Sequence, residues 1–217
     1  TAAHNDQRID FLLGQMWAHR LTRECLLKVR SMGIPTINIS MDDRLPENWS
    51  FYKNIQLGSI GLAPALDMVL TTSAETCGWY GAEGCPAIFW PLASDPEVFS
   101  PIGETKRDIE VLFIGNRYGV RGRIVDYLTK YGIKVECYGN GWPNGYVYAE
   151  QMASLSKRAK IILGIGVVGH CDDVYTLKLR DFDAPMSGAM YLTHRNPDLC
   201  ELYLEGEEAE YYQTPKE

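Results

Sequence analysis

The chain has 217 residues, 46% of them hydrophobic and 23% charged, which is the balance of an ordinary globular protein and excludes a disordered or collagen-like one. Acidic residues outnumber basic ones by 28 to 21, a formal charge of -7 with a pI near 5.2, so a broad nucleic-acid or anionic-membrane surface is not expected and any anion site must be local. The length suits one large domain or two of about 100 residues each.

No apolar run reaches the roughly 18–20 residues needed to cross a bilayer, and Thr1 to Asp10 lacks the basic and apolar regions of a signal peptide. The six cysteines (Cys25, Cys77, Cys85, Cys137, Cys171, Cys200) contain no Cys-x-x-Cys pair and no histidine spacing suited to zinc. Reduced structural thiols and a cytoplasmic location are expected. A Cys77 to Cys85 bridge is the only local alternative, and it would need an oxidising compartment.

Along the chain, Arg8 to Gly14 reads as a strand. Arg20 to Met32 reads as a helix on the spacing of Leu21, Cys25, Leu26 and Val29, with Gly33 as its stop. Ile34 to Ser40 is β-branched and alternating, so the first forty residues hold a βαβ unit, which implies a parallel sheet. Asp67 to Thr71, Ala74 to Ala82 and Pro86 to Trp90 continue as strand, helix and strand. Pro91 to Lys106, with three prolines and few core-type residues, reads as a linker with a domain boundary near residue 103.

The rhythm then restarts. Strands are predicted at Ile109 to Ile114, Ile133 to Tyr138, Ile161 to Ile165 and Ala189 to Thr193. Helices are predicted at Val120 to Lys130, Gln151 to Arg158, Leu177 to Met186 and Asp198 to Leu204. The pattern is α/β, with two βα-alternating domains at 1–102 and 103–217.

Three stretches carry the candidate chemistry. In Phe113-Ile114-Gly115-Asn116-Arg117-Tyr118-Gly119-Val120-Arg121 an apolar strand enters a glycine-containing loop and then a helix start. Glycine lets backbone approach a ligand, helix-start N–H groups attract anions, and Arg117 or Arg121 adds a fork of donors for phosphate oxygens. The pattern is neither G-x-G-x-x-G nor a P-loop, so a plain strand-to-helix turn remains the competing reading.

In Lys178-Leu179-Arg180-Asp181-Phe182-Asp183, Asp183 lies about 140° around a helix from Lys178 and three residues after Arg180. Lys178 could meet a diphosphate while Asp183 accepts from ribose hydroxyls. The alternative is an Arg180–Asp183 surface pair worth under about 1 kcal/mol. The third stretch, Glu136 to Trp142, ends a strand in a Gly-rich turn where Tyr138 or Trp142 flanks a base or simply packs. Gly164, Gly166 and Gly169 supply another loop at the same sheet edge, where open α/β sheets bind ligands.

The pairs Asp42-Asp43 and Asp172-Asp173 suit turn and helix capping better than metal binding, because no third oxygen ligand is identifiable. His4, His19, His170 and His194 are isolated. His194 stands where a pocket residue would be, though a loop histidine is the plainer reading. Hydrolysis by a covalent nucleophile finds no elbow motif.

These residues resemble the CgeB-like (spore maturation type) glycosyltransferases of group 1, with a GT-B fold. The resemblance is carried by the Phe113-Ile114-Gly115 strand end followed by Arg121, the Val135 to Gly139 strand ending in Tyr-Gly, and Ala159-Lys160-Ile161. Lys178 to Ala184, and Ser187-Gly188 before Tyr191-Leu192-Thr193, continue it. Earlier, Gly33-Ile34-Pro35 into a strand ending at Asp42-Asp43, and Trp90 to Pro96 with Phe99 and Pro101, look like the family's N-terminal-domain end and interdomain linker. The family usually has Glu where this chain has Asp183, and group 1 members often carry an acid where Tyr175 stands. Members are typically longer, so the N-terminal domain is expected to be incomplete.

The resemblance implies two Rossmann-like domains facing a cleft, with an acceptor side at 1–102 and a nucleotide-sugar-binding side at 103–217. It implies sugar transfer from a nucleoside-diphosphate sugar to a glycan, lipid, protein or small molecule. It also implies that stereochemistry is retained and that neither metal nor cofactor is used. Arg121 and Lys178 would stabilise the departing diphosphate as catalytic residues. Gly115, Asn116, Arg117, Tyr138, Gly139, Arg180, Asp183, Ser187 and Gly188 would bind the donor, with Asp183 on ribose and Tyr138 and Gly139 near the base. A nonenzymatic nucleotide- or sugar-binding module is the alternative. A dinucleotide-dependent oxidoreductase is disfavoured by the missing glycine fingerprint.

Overall fold

The computed structural model describes residues 7–101, 103 and 106–217; His4, and Ile102, Glu104 and Thr105 of the Pro-rich segment, lie outside the described residues. Contacts divide the chain into two compact units, residues 1–91 and 92–217, each built on its own parallel sheet. The chain is α/β with two Rossmann-like sheets, as its alternation predicts.

In the first unit, β1 (Leu12–Gly14), α1 (Arg23–Arg30) and β2 (Thr36–Ser40) form the expected βαβ unit, with Leu12 opposite Thr36 in parallel register. Thr22 caps α1 by accepting from the Cys25 N–H, and Lys28 and Arg30 sit in its last turn, where cations suit the helix dipole. Then come β3 (Phe51–Tyr52) and β4 (Ile55–Gln56), a small antiparallel hairpin, and a 3-10 segment at Ser59–Ala65. Two-residue strands leave no alternation to read, so the sequence does not announce them. The unit continues with β5 (Met68–Thr71), α2 (Ala74–Ala82) and β6 (Ala87–Phe89), in sheet order β1-β2-β5-β6. Leu26, Leu62, Val69 and Tyr80 are its fully enclosed core.

At the carboxyl end of this sheet lies a buried carboxylate. Asp43 accepts from Thr71 Oγ1 and Tyr80 Oη at 2.7 Å each, from the Ser40 hydroxyl, and more distantly from Thr76 Oγ1 at 3.5 Å. The Trp49 indole N–H donates to its backbone carbonyl at 3.0 Å. Asp43 is therefore a polar staple between β2, β5 and α2, while the Asp42 carbonyl accepts from the Leu45 N–H at 2.9 Å in the following turn. Among the described residues, no group of three or more His, Cys, Asp or Glu is placed to hold a metal ion, and all six cysteines are free thiols.

The segment read as a linker packs into the second unit. Its short α3 (Pro96–Phe99), capped by Asp95 on the Glu97 N–H at 2.9 Å, buries Phe99. Next come β7 (Ile109–Ile114), α4 (Val120–Lys130), β8 (Val135–Tyr138), α5 (Ala149–Arg158) and β9 (Ala159–Leu163). After them are α6 (Arg180–Met186), β10 (Met190–His194), α7 (Pro197–Cys200) and β11 (Glu210–Tyr212). All five strands are parallel, in the order β11-β10-β9-β7-β8. β11 was not foreseen, and α7 is four residues long where a longer helix was expected.

This order reverses direction at β7: the chain steps outward to β8, then back across to β9 and on to β10. Strand alternation separates the two faces. Phe113, Cys137 and Leu163 pack with Val120, Ile124 and Val125 of α4. Ile114 and Ile162 pack on the other face with Met152 and Ser156 of α5 and Ala184 of α6. A reversal of this kind opens a crevice beyond the carboxyl ends of β7 and β9, the usual ligand position in open α/β sheets.

Replacing Asp43 by Ala leaves several buried hydroxyls without their common acceptor. The expected loss is about 2–4 kcal/mol in the first unit's stability, read from urea unfolding against wild type.

Candidate functional site

The reversal point is built from glycines and arginines. Gly115 follows β7, and its N–H donates to the Tyr138 carbonyl at 2.8 Å while its own carbonyl accepts from Trp142 Nε1 at 2.7 Å. Gly139 follows β8 with a φ of +127°, and a Cβ there would stand 2.5 Å from the Gly115 oxygen and 2.9 Å from the Asn116 nitrogen. The two loops cross backbone to backbone, and only glycine fits at 139. The Arg117 N–H to Asn140 carbonyl bond at 2.8 Å and the Asn140 N–H to Asn116 Oδ1 bond at 2.9 Å fix the crossing further.

Two guanidinium groups stand over this crossing. A Cβ on Gly115 would lie 2.7 Å from Arg180 Nη2 and 3.3 Å from Arg121 Nη1, so both tips occupy the space that the glycine leaves. Arg121, in the first turn of α4, is only 6% exposed; it donates to the Asn116 carbonyl at 3.0 Å and its guanidinium carbon stacks 4.1 Å from the Tyr118 ring centre. Arg180, the first residue of α6, donates from Nε to the Ile114 carbonyl at 2.9 Å and lies 4.7 Å from the Phe113 ring centre. Its Nη1 is buried and has no hydrogen-bond partner among the described residues. Buried donors of this kind are normally satisfied, so this nitrogen points to an anion-accepting place. Lys178 stands half-buried in the turn that leads into α6, two residues before Arg180.

The predicted site residues divide accordingly. Gly115, Asn116, Gly139, Arg121 and Arg180 come together, with Lys178 in the adjacent turn. Arg117 belongs to the same loop but turns aside, ion-paired to Asp126 at 3.2 Å and 5.2 Å from the Trp142 ring centre. Tyr138 offers its backbone, while its phenol is pushed above its ordinary range by burial and by Glu136 beside it, with Arg158 opposing. Asp183 lies one turn into α6, buried with Phe99, Met152 and Ser156. Burial raises its carboxyl, while Ser94 and the Arg180 charge act to lower it.

Ser187 and Gly188 end α6 and so fall at the amino-terminal edge of the sheet. There Ser187 Oγ donates to the Ala184 carbonyl at 2.7 Å and Arg107 donates to the Gly188 carbonyl at 2.9 Å. A helix that starts beside one sheet edge finishes beside the other, so these two do not join the arginines. The helix itself begins at Arg180 and not at Leu177, because the Asp181 carboxylate accepts the Lys178 N–H at 2.6 Å and holds 178–179 in a turn.

His194 is the last residue of β10 and is buried, not a loop residue. The Gly166 N–H points at its Nδ1 at 3.3 Å, and the rings of Tyr212 and Tyr175 lie 4.4 and 5.4 Å away. Burial pushes its imidazole down to about 4. It lines a cavity of about 440 Å3 with Arg123, Tyr127, Asp172 and Lys216 on the far side of α4 from Arg121. Nearby, Gly164 sits where any side chain would collide with the Tyr191 hydroxyl and with Thr193.

Residues 121–217, the stretch that carries both arginines and Lys178, match the Glycosyl transferase-like family. No curated protein matches the chain. Among solved structures, it is similar to a protein described as a UDP-N-acetylglucosamine 2-epimerase from Listeria monocytogenes, at 8% identity and a TM-score of 0.47. That likeness covers 93% of this chain and 61% of the other, so the chain spans about three-fifths of that protein's length. No helix among the described residues is long and apolar enough to cross a membrane.

Two measurements test this geometry. Gly139→Ala forces a side chain against the Gly115 backbone at positive φ and is expected to cost about 1–3 kcal/mol, seen as a lowered thermal midpoint. Unfolded His194 takes up a proton near its ordinary value of 6.5, while the folded residue does so only near 4. The unfolded chain therefore holds the extra proton between those values, and stability falls as pH drops through the window. The expected loss is about 3 kcal/mol relative to a His194→Gln protein, read from urea unfolding at pH 7 and pH 4.

Proposed function

We propose that this protein is a glycosyltransferase of the CgeB-like, group 1 kind, whose residues 103–217 bind the nucleoside-diphosphate part of a sugar donor. The observation that carries the reading is the convergence of Arg121 and Arg180 over Gly115, with a buried guanidinium nitrogen still lacking a partner. It falls at the carboxyl ends of β7 and β9, within the stretch similar to glycosyl transferases. Residues 1–102 take the acceptor side, and the acceptor is a glycan, lipid, protein or small molecule.

The chemistry follows from where charge grows. As the bond between the anomeric carbon and the diphosphate breaks, negative charge accumulates on the leaving oxygens. Cations already in place then bind the transition state more tightly than the ground state. Arg121 and Arg180 are pre-oriented by carbonyls and aromatic faces, so little reorganisation is needed as charge develops. Lys178, on the turn before α6, adds a third positive group. Retention of configuration, and transfer without a divalent metal, are what the resemblance adds to this picture.

A second reading is a nucleotide- or sugar-binding module without turnover. It is favoured by Tyr175, which stands where group 1 members often have an acid and here packs its ring on His194.

A thermal-shift and calorimetric panel of UDP, GDP, ADP and dTDP tests the reading. At least one should bind, and Arg180→Ala or Lys178→Ala should weaken it by about 10–100-fold, the worth of one charge-assisted hydrogen bond. No response to any of the four rejects both readings. Binding without donor hydrolysis or transfer to any acceptor selects the module.

A further inference from the structure

Asp181 is 1% exposed and lies in the first turn of α6, directly after Arg180 and three residues after Lys178 in sequence. One carboxylate oxygen accepts the Lys178 backbone N–H at 2.6 Å; the other accepts the hydroxyl of Tyr191, a residue of β10 that is itself 1% exposed. The acid thus ties the turn carrying Lys178 and the start of the helix carrying Arg180 to the neighbouring strand. Both oxygens are engaged within the protein, which suits a structural tie and not a ligand contact.

Resting on the reading above, we propose that Asp181 and Tyr191 form a latch that positions Lys178 and Arg180 for the diphosphate, a positioning role and not a catalytic one. The reasoning is geometric. Lys178 and Arg180 flank a turn whose carbonyls accept from the N–H groups of Asp181, Phe182 and Asp183, and whose Lys178 N–H is held by the Asp181 carboxylate. The Arg180 guanidinium must reach from α6 on one face of the sheet to Gly115 at the switch point. A shift of about 1 Å in that turn would carry the guanidinium out of register with a bound phosphate, which is enough to cost a large factor in function. Burial accords with this part: it raises the Asp181 carboxyl and lifts the Tyr191 phenol far above its ordinary range. A neutral donor, the Tyr191 hydroxyl, holds one oxygen of the acid.

The test compares ligands with and without the diphosphate. Asp181→Asn, Tyr191→Phe and wild type are titrated with whichever of UDP, GDP, ADP and dTDP binds wild type most tightly, and separately with the parent nucleoside. Both variants should lose about 5–20-fold in diphosphate affinity and less than about 2-fold for the nucleoside. Tyr191→Phe removes one oxygen only, so it keeps the measurement available if Asp181→Asn folds poorly. Equal losses for both ligands would show a merely structural acid, and unchanged affinity for both would show no role; either overturns the latch. The functional reading fails separately, and takes the latch with it, if wild type binds none of the four nucleotides or if Lys178→Ala and Arg180→Ala bind them as wild type does.

Discussion

Two like charges held close together, Arg121 buried and Arg180 half-buried, are the constraint on which the second unit turns. Arg121 and Arg180 reach the same few ångströms over Gly115 from helices on opposite faces of the sheet. Charge repulsion and desolvation both oppose this, and both grow as the local dielectric falls. The aromatic faces of Phe113 and Tyr118 and the carbonyls of Ile114 and Asn116 offset part of the cost. On the function proposed above, the diphosphate of the donor would offset more of it. The strand order makes the meeting possible, because only where the sheet reverses do helices from both faces begin at one edge.

Much of this arrangement was legible in the sequence, for a reason that can be stated. β7 and α4 are long enough for their periods to show, and the Gly115 to Arg121 stretch places an arginine in the first turn of a helix that follows a strand. Arg180 was visible as a charge but not as the partner of Arg121, since the two are brought together by a crossover and not by spacing. The helix around it reads from sequence as starting at Leu177. The acid that sets its true start lies inside the helix and bonds backward, which local patterning does not encode. Ser187 and Gly188 follow Arg180 closely in sequence, yet seven residues of helix carry them to the opposite sheet edge. Asp183 reads as a ribose ligand from its spacing, but the packing of Phe99 and α5 around it is long-range and leaves it buried among them.

The two units place buried acids in comparable positions, and the donors differ from ordinary ion pairs in the same way. Asp43 beyond β2 is surrounded by the hydroxyls of Ser40, Thr71, Thr76 and Tyr80, and Asp181 is held by a phenol and a backbone N–H. Neutral donors satisfy a carboxylate without a counter-cation. In the second unit this bears on the site, because Asp181 is three residues from Lys178 in sequence and holds the Lys178 backbone N–H. Its other oxygen accepts from Tyr191 on the strand side.

Gly164 shows how far the influence of this arrangement extends. Its missing side chain is the room in which the Tyr191 hydroxyl and Thr193 sit, on a neighbouring strand. Positions 164, 191 and 193 are therefore coupled sterically: even a methyl at 164 is compatible only with loss of the phenol oxygen at 191 and of bulk at 193. The side chain allowed at a residue that touches neither arginine is in this way limited by the strand that anchors one of them.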